Sequence, residues 1–295
     1  MTPIPRKATR GVAVSFVPAV FVSSLISDES DTSRDGCPPS DHTNLSDKLT
    51  NMSTLEPTWT VLTWNLQGSK HTDLDRVAEI VRGESPDLVL LQEVRRPQAR
   101  TLARSLEMQK CWALKHNPYR PFLSGRAEGA AILTPHELTD TDHTVISEAS
   151  STRSYTRRIV LWATVTRTDQ SAYRVFDAHL SPHDMTTERL VEAQRLSALA
   201  AQMGDVPPII VAGDFNNHGE PEVVAALPGI EIAPAPATNP SESPNQQLDH
   251  VLVPTGSTLA DMSVPEGDES WAELSDHLPL IVRFSLARFD PESST

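Results

Sequence analysis

Residues 208–217 read PIIVAGDFNN. The apolar run is short and rich in β-branched residues. It reads as a strand with both faces covered rather than as a helix. Its polar ending, Asp214 and Asn216, then falls where a sheet delivers side chains to one edge. The same arrangement recurs outward from it in both directions. WTVLTWN ends on Asn65, DLVLLQE on Glu93 and VFDAH on His179. DHVLV opens on Asp249 and His250, and Asp276 and His277 stand just before LPLIVRF. One such residue is ordinary turn chemistry, since Asp and Asn cap the bend that follows a strand. The whole set is harder to explain as turns, because it joins carboxylates and amides to histidines at the ends of separate strands.

The remainder of the chain from Thr58 onward continues this α/β pattern. Further strand-like runs are GAAIL at 129–133 and RIVLWATV at 158–165. Helical periodicity is expected over residues 74–83 and over 186–203, where Leu190, Val191, Ala193, Leu196, Leu199, Ala200 and Met203 recur at three- and four-residue steps. Gly204 follows as a stop signal. Residues 233–247 form a Pro-rich loop. No internal repeat is present, and no linker divides 57–287, which reads as one domain followed by a polar tail at 288–295.

The first 56 residues differ. Residues 27–53 are Ser, Asp, Thr and Pro with little to bury and read as disordered. Before them, Arg6, Lys7 and Arg10 precede the apolar stretch 11–26, as in a secretory signal, with Val22 and Ser24 as small residues ahead of a cleavage point. The competing reading is a start at Met52. The expected location is cytoplasmic, or outside the cell if 1–26 is a signal.

Composition excludes several classes. Two cysteines, Cys37 and Cys111, exclude a disulfide scaffold and a Cys-rich zinc module. No apolar run reaches the ~20 residues of a membrane-spanning helix. With 25 Lys+Arg against 39 Asp+Glu, the net charge of −14 argues against coating nucleic acid by bulk charge. The charge is uneven, however. Residues 95–126 hold eight basic residues and a single acid, Glu107. Arg100 and Arg104 there are one helical turn apart. This stretch reads either as a phosphate-gripping flank beside Glu93 or as a solvated helix face.

In order, LTWNLQG, PDLVLLQEV, DAHL, VAGDFNN, LDHVLV and LSDHLPL resemble the motif blocks of the endonuclease/exonuclease/phosphatase superfamily, over about residues 58–285. That group includes deoxyribonuclease I, AP endonucleases, neutral sphingomyelinases and inositol polyphosphate 5-phosphatases. The resemblance implies a four-layer αββα sandwich, with two packed mixed sheets flanked by helices, and Mg²⁺-dependent cleavage of a phosphate ester. Mn²⁺ is a possible substitute.

Chemistry agrees with this expectation. A phosphodiester repels hydroxide, so a divalent cation is needed to neutralise charge. Mg²⁺ takes few carboxylates and keeps several waters. Asn65, Glu93 and Asp276 are the expected metal set. By resemblance, His277 is the general base or the electrostatic partner of the phosphate, with Asp249 orienting its ring. Asp214 would orient or deprotonate water, Asn216 would hold it or a phosphate oxygen, and His179 would donate to the phosphate or the leaving group. Which of them is formally the base stays open. Of Arg157 and Arg158, Arg158 is the expected substrate contact. His183 and His218 read as loop histidines, and His250 as a packing residue on the opposite face from Asp249.

Two departures weaken the abasic-site reading. A Tyr that nuclease relatives carry two residues before GAAIL is replaced by Ala127, with Tyr119 and Tyr155 out of register. Val94 follows Glu93 in place of Thr. The leading expectation is a monomeric phosphodiesterase or nuclease acting on a phosphate ester, with nucleic acid a plausible partner. Alternatives are a lipid or inositol-phosphate phosphoesterase, for which Trp271 is a candidate membrane contact, and a degenerate binding module.

Overall fold

Two sheets, rather than one, take up the apolar runs. The computed structural model describes residues 58–68, 72–117, 127–182, 184–204, 207–217 and 219–286. The expectations for 1–56 and 288–295, and for Tyr119, Arg120, Arg126, His183 and His218, lie outside the described residues. In chain order the strands are β1 (Trp59–Asn65), β2 (Leu88–Arg95), β3 (Gln109–His116), β4 (Glu128–Thr134), β5 (Glu137–Val145), β6 (Ile159–Thr166), β7 (Ala172–His179), β8 (Ile209–Asp214), β9 (Asp249–Leu252), β10 (Ser257–Ser263) and β11 (Leu280–Leu286). The helices are α1 (Leu74–Glu84), α2 (Arg96–Ser105), α3 (Thr186–Met203) and the short α4 (Pro221–Ala225).

The first sheet has the order β10-β11-β1-β2-β4-β3, and the second β5-β6-β7-β8-β9. Both are mixed: β1 runs parallel to β2 and β7 parallel to β8, and the other pairs are antiparallel. Side chains alternate across each strand, so every central strand feeds two cores. Val61, Leu88, Leu90 and Ile132 meet Leu161, Val175, Ile210 and Ala212 between the sheets. Leu62, Trp64, Val89 and Leu91 face outward onto Val77, Ala78 and Val81 of α1. Phe176, Ala178 and Val211 face outward onto Ala193, Leu196 and Ala200 of α3. The result is the expected αββα sandwich.

Register then gathers the polar strand endings. His179 pairs with Asp214 across β7 and β8, and Asp214 with Asp249 across β8 and β9. In the other sheet Asn65 pairs with Gln92. Glu93 lies in a bulge, where the β2–β4 register shifts between Leu91 and Val94. Its backbone is left-handed, with φ 51°. Bulges of this kind re-aim a side chain beside a site, at a local conformational cost. Gly68 permits the bulge, because a Cβ there would stand 2.0 Å from Glu93 O.

Gly213 plays the same part in the second sheet. Its φ is 145°, and an added Cβ would stand 1.9 Å from Ala178 O. Gly213→Ala is therefore expected to lower stability by at least roughly 1–3 kcal/mol. Gly83, inside α1 with open space around its Cα, should respond oppositely, with Gly83→Ala gaining about 0.5–1 kcal/mol. Urea unfolding midpoints of the two variants test both signs.

Candidate active site

Asp249 is fully buried at the start of β9. Its Oδ2 accepts from Thr238 Oγ1 at 2.5 Å and lies 2.8 Å from His277 Nδ1. The other ring nitrogen, Nε2, stands 3.8 Å from Asp214 Oδ2. One imidazole thus sits between two buried carboxylates. Burial opposes its charge, but Asp249 and Asp214 outweigh that and raise its pKa to about 10. Burial also pushes Asp214 up to about 6, against the pull of His277. The loop carrying His277 is pinned on both sides: Trp64 Nε1 donates to His277 O at 2.8 Å, and His277 N to Ser275 Oγ at 3.1 Å.

Asp214 is the hub. Asn65 Nδ2 donates to its Oδ2 at 2.9 Å, and the Asn216 backbone N–H to its Oδ1 at 2.9 Å. Asn216 adopts a left-handed φ of 49° and donates its side-chain amide to Leu180 O at 3.2 Å. On the other flank, His179 Nε2 is 3.6 Å from Asp214 Oδ2. Burial, then the nearby Lys115 and Arg158, hold His179 well below the usual imidazole range, so its ring is neutral. Behind this row, Gln92 Nε2 donates to Thr63 Oγ1 at 3.1 Å and to Asp177 Oδ1 at 2.7 Å. That contact ties the two sheets together one residue behind Glu93 and two behind His179. Burial lifts Asp177 well above the carboxylate range.

Of the expected metal set, Asn65 and Asp276 are joined through Gln67. Its backbone N–H donates to Asn65 Oδ1 at 3.0 Å and its Nε2 to Asp276 Oδ2 at 3.1 Å. Gln67 Oε1 is buried and has no hydrogen-bond partner among the described residues. Glu93 is turned the other way, with Oε1 3.9 Å from Lys115 Nζ and 4.0 Å from His179 Nδ1. Amide and carboxylate oxygens, one without a partner, suit a hard divalent cation. A second grouping also exists: ligand atoms of Asp214, Asp249 and His277 lie within 4.8 Å of one another. The Asn65 side thus offers amide and carboxylate oxygens, and the Asp214 side two carboxylates and an imidazole.

Beyond Glu93 the site turns basic. Arg157 and Arg158 part company here. Arg157 spends its guanidinium on the Leu114 and Lys115 carbonyls, at 2.6 and 2.5 Å. Arg158 is 2% exposed, and its Nε and Nη1 have no hydrogen-bond partner among the described residues. Lys115 is 3% exposed, with Nζ likewise unpartnered by hydrogen bonds. Burial and Arg158 bring its pKa down to about 8. Tyr155, 51% exposed, lies over both, its ring centroid 5.7 Å from Lys115 Nζ and 6.0 Å from Arg158 Cζ. Sequence register set Tyr155 aside, yet the loop before β6 carries it to this cluster.

Sequence reasoning missed Gln67 and Thr238. Lys115 belongs to the basic stretch read as a flank beside Glu93, and it continues the inward-facing alternation Cys111, Ala113, Lys115, where a charge is out of place. His250 stacks on Phe215, with centroids 5.1 Å apart, and its Nδ1 is 2.9 Å from Glu231 Oε1. It is a packing residue, as expected. Trp271 packs edge-on against Trp64 at 6.0 Å and is part of the outer core.

Solved structures with the same fold include the endonuclease/exonuclease/phosphatase from Bacteroides vulgatus, 17% identical with a TM-score of 0.63, covering 79% of this chain and 100% of that one. The human Nocturnin catalytic domain with bound sulfate anion is 19% identical with a TM-score of 0.61, covering 79% and 96%. The Bacteroides thetaiotaomicron mannosyl-6-phosphatase is 16% identical with a TM-score of 0.59, covering 77% and 100%. Comparison with curated proteins gives no match. The model of the Endonuclease/Exonuclease/phosphatase family matches residues 62–277, well over half of the chain, and the chain belongs to that family.

Proposed function

We propose that the chain is a phosphodiesterase dependent on a divalent cation, Mg²⁺ or Mn²⁺. The observation that carries this reading is the row Asp249–His277–Asp214–His179, flanked by an oxygen donor set on one side and by cations with unused donors on the other. Asn65 and Asp276, joined through Gln67, would hold the cation, with Glu93 completing the set once its carboxylate turns from Lys115. When bound, it neutralises charge on the phosphoryl group as a Lewis acid.

The chain's own residues supply the remaining work. His277, charged between two carboxylates, directs an N–H at Nε2 toward a phosphoryl oxygen. Asp249 holds the ring and its proton from behind. Asp214, ionised above its raised pKa, accepts a proton from the attacking water, which Asn216 helps to orient. Neutral His179 offers a hydrogen bond to the phosphate or the leaving oxygen. Arg158 and Lys115 use their free donors on the anionic oxygens, where charge-assisted bonds are strongest. The same pair also favours a second reading, a phosphomonoesterase, since a dianion would use both cations.

Hydrolysis of bis-p-nitrophenyl phosphate in Mg²⁺ or Mn²⁺, abolished by EDTA, is the expected result. Faster turnover of p-nitrophenyl phosphate would favour the monoester reading. His277→Ala, checked for folding by circular dichroism, should lower kcat by roughly 10²–10⁴-fold. The pH profile follows from the signs of the shifts. kcat/KM should rise as pH passes about 6, where Asp214 ionises, and fall toward about 10, where His277 loses its proton. Asp249→Asn removes the main charge that raises His277, so the alkaline limb should move to lower pH. An alkaline limb that stays in place would assign it to some other group.

A further inference from the structure

A groove of about 1370 Å³ runs between α2 and β3. Its walls carry Arg96, Arg100, Arg104, Lys110 and Trp112. None of these four cations forms an ion pair with a carboxylate among the described residues. Glu107 is the one acid among the lining residues. The three arginines repeat every four residues on one helix face, which sets them about 6 Å apart per step along the axis, comparable to the spacing of successive phosphates in a strand. Arg96 Cζ lies 6.0 Å from the Trp112 ring.

No residue of the site lines the groove, but its Arg96 end follows closely on Glu93 in the chain. α2 starts three residues after Glu93, and the arginine row leads away from there. Asn117 and Ala127, which also line the groove, flank His116 and Glu128, a register pair of β3 and β4. The exposed Tyr155 ring is 5.7 Å from His116. An exposed aromatic ring beside Lys115 and Arg158, outside the groove, and a row of cations within it suit a base and a charged backbone respectively.

We propose that this groove binds the continuation of a nucleic-acid strand whose scissile diester lies at Asp214 and His277, so that the substrate is a polynucleotide rather than a small phosphate ester. This rests on the phosphodiesterase reading for its scissile position. An anionic membrane is the poorer fit. The exposed large hydrophobics among the described residues are Tyr155 and Ile230, and neither lies in the groove, so the groove offers a bilayer nothing to insert.

The test uses the full chain and the exposed double variant Arg100→Glu/Arg104→Glu, which removes no residue of the site. Binding of fluorescein-labelled 15-mer DNA and RNA is followed by anisotropy in EDTA across a salt series, beside bis-p-nitrophenyl phosphate kinetics in Mg²⁺. The expected result is a Kd for at least one 15-mer raised about tenfold or more, and a log–log salt slope shallower by about 1.4 for two lost phosphate contacts. kcat/KM on the small ester should be unchanged. Unchanged binding of both 15-mers would overturn the proposal, and so would an equal loss on the small ester, or binding to anionic phosphatidylserine vesicles with the same arginine dependence and none to nucleic acid. Arginine-dependent strand binding without small-ester turnover would sustain the groove and sink the phosphodiesterase reading. Small-ester turnover with unaltered strand binding would do the reverse.

Discussion

Two buried carboxylates that share one imidazolium are the constraint on which the site depends. Asp214 and Asp249 come from adjacent strands at the same level of the sheet, where both are shielded from water. Each buried charge carries a penalty of several kcal/mol unless it is paired and hydrogen-bonded. His277 between them supplies the charge, and Thr238, Asn65 and the Asn216 backbone supply hydrogen bonds. Four separated parts of the chain must converge for this to hold. The αββα packing therefore does more than bury apolar surface, because it sets β7, β8 and β9 in the one register that lines up His179, Asp214 and Asp249.

The first sheet contributes through departures from regularity. β1 ends in a turn and β2 bulges, and the two features interlock where Gly68 N donates to Glu93 O at 2.8 Å. Gln67 in that turn then reaches both Asn65 and Asp276. Gln92, inside the bulge, ties to Asp177 in the opposite sheet. Acidic and oxygen-rich groups thus collect at one side of the cleft. Lys115 and Arg158 collect at the other, with His179 and Glu93 between them. A bound phosphate would meet opposite charge from the basic side and hydrogen-bond donors from the histidines.

Much of this arrangement is legible in the amino-acid sequence. Eight apolar runs form strands, and the two periodic stretches form α1 and α3. β3, β5 and β10 escape notice. They are the outer strands of their sheets, and β5 and β10 are polar along most of their length. Edge strands need no second apolar face and benefit from charge, so the periodic signal fades there. The strand-end residues Asn65, Glu93, His179, Asp214, Asp249 and His277 are each legible, because a polar residue at the end of an apolar strand is a local pattern.

The residues that sequence reasoning misses are those whose partners come from a different element of the fold. Thr238 meets Asp249 from a Pro-rich loop, and Tyr155 meets Lys115 from a connection forty residues on. By itself the sequence determined which elements form and which polar residues end them, since hydrophobic periodicity and chain breaks are local properties. Only the tertiary structure decided that His277 is shared by two carboxylates, that Arg158 rather than Arg157 keeps free donors, and that the basic stretch lines a groove. Charge state, hydrogen-bond satisfaction and concavity all depend on what stands across space from a side chain.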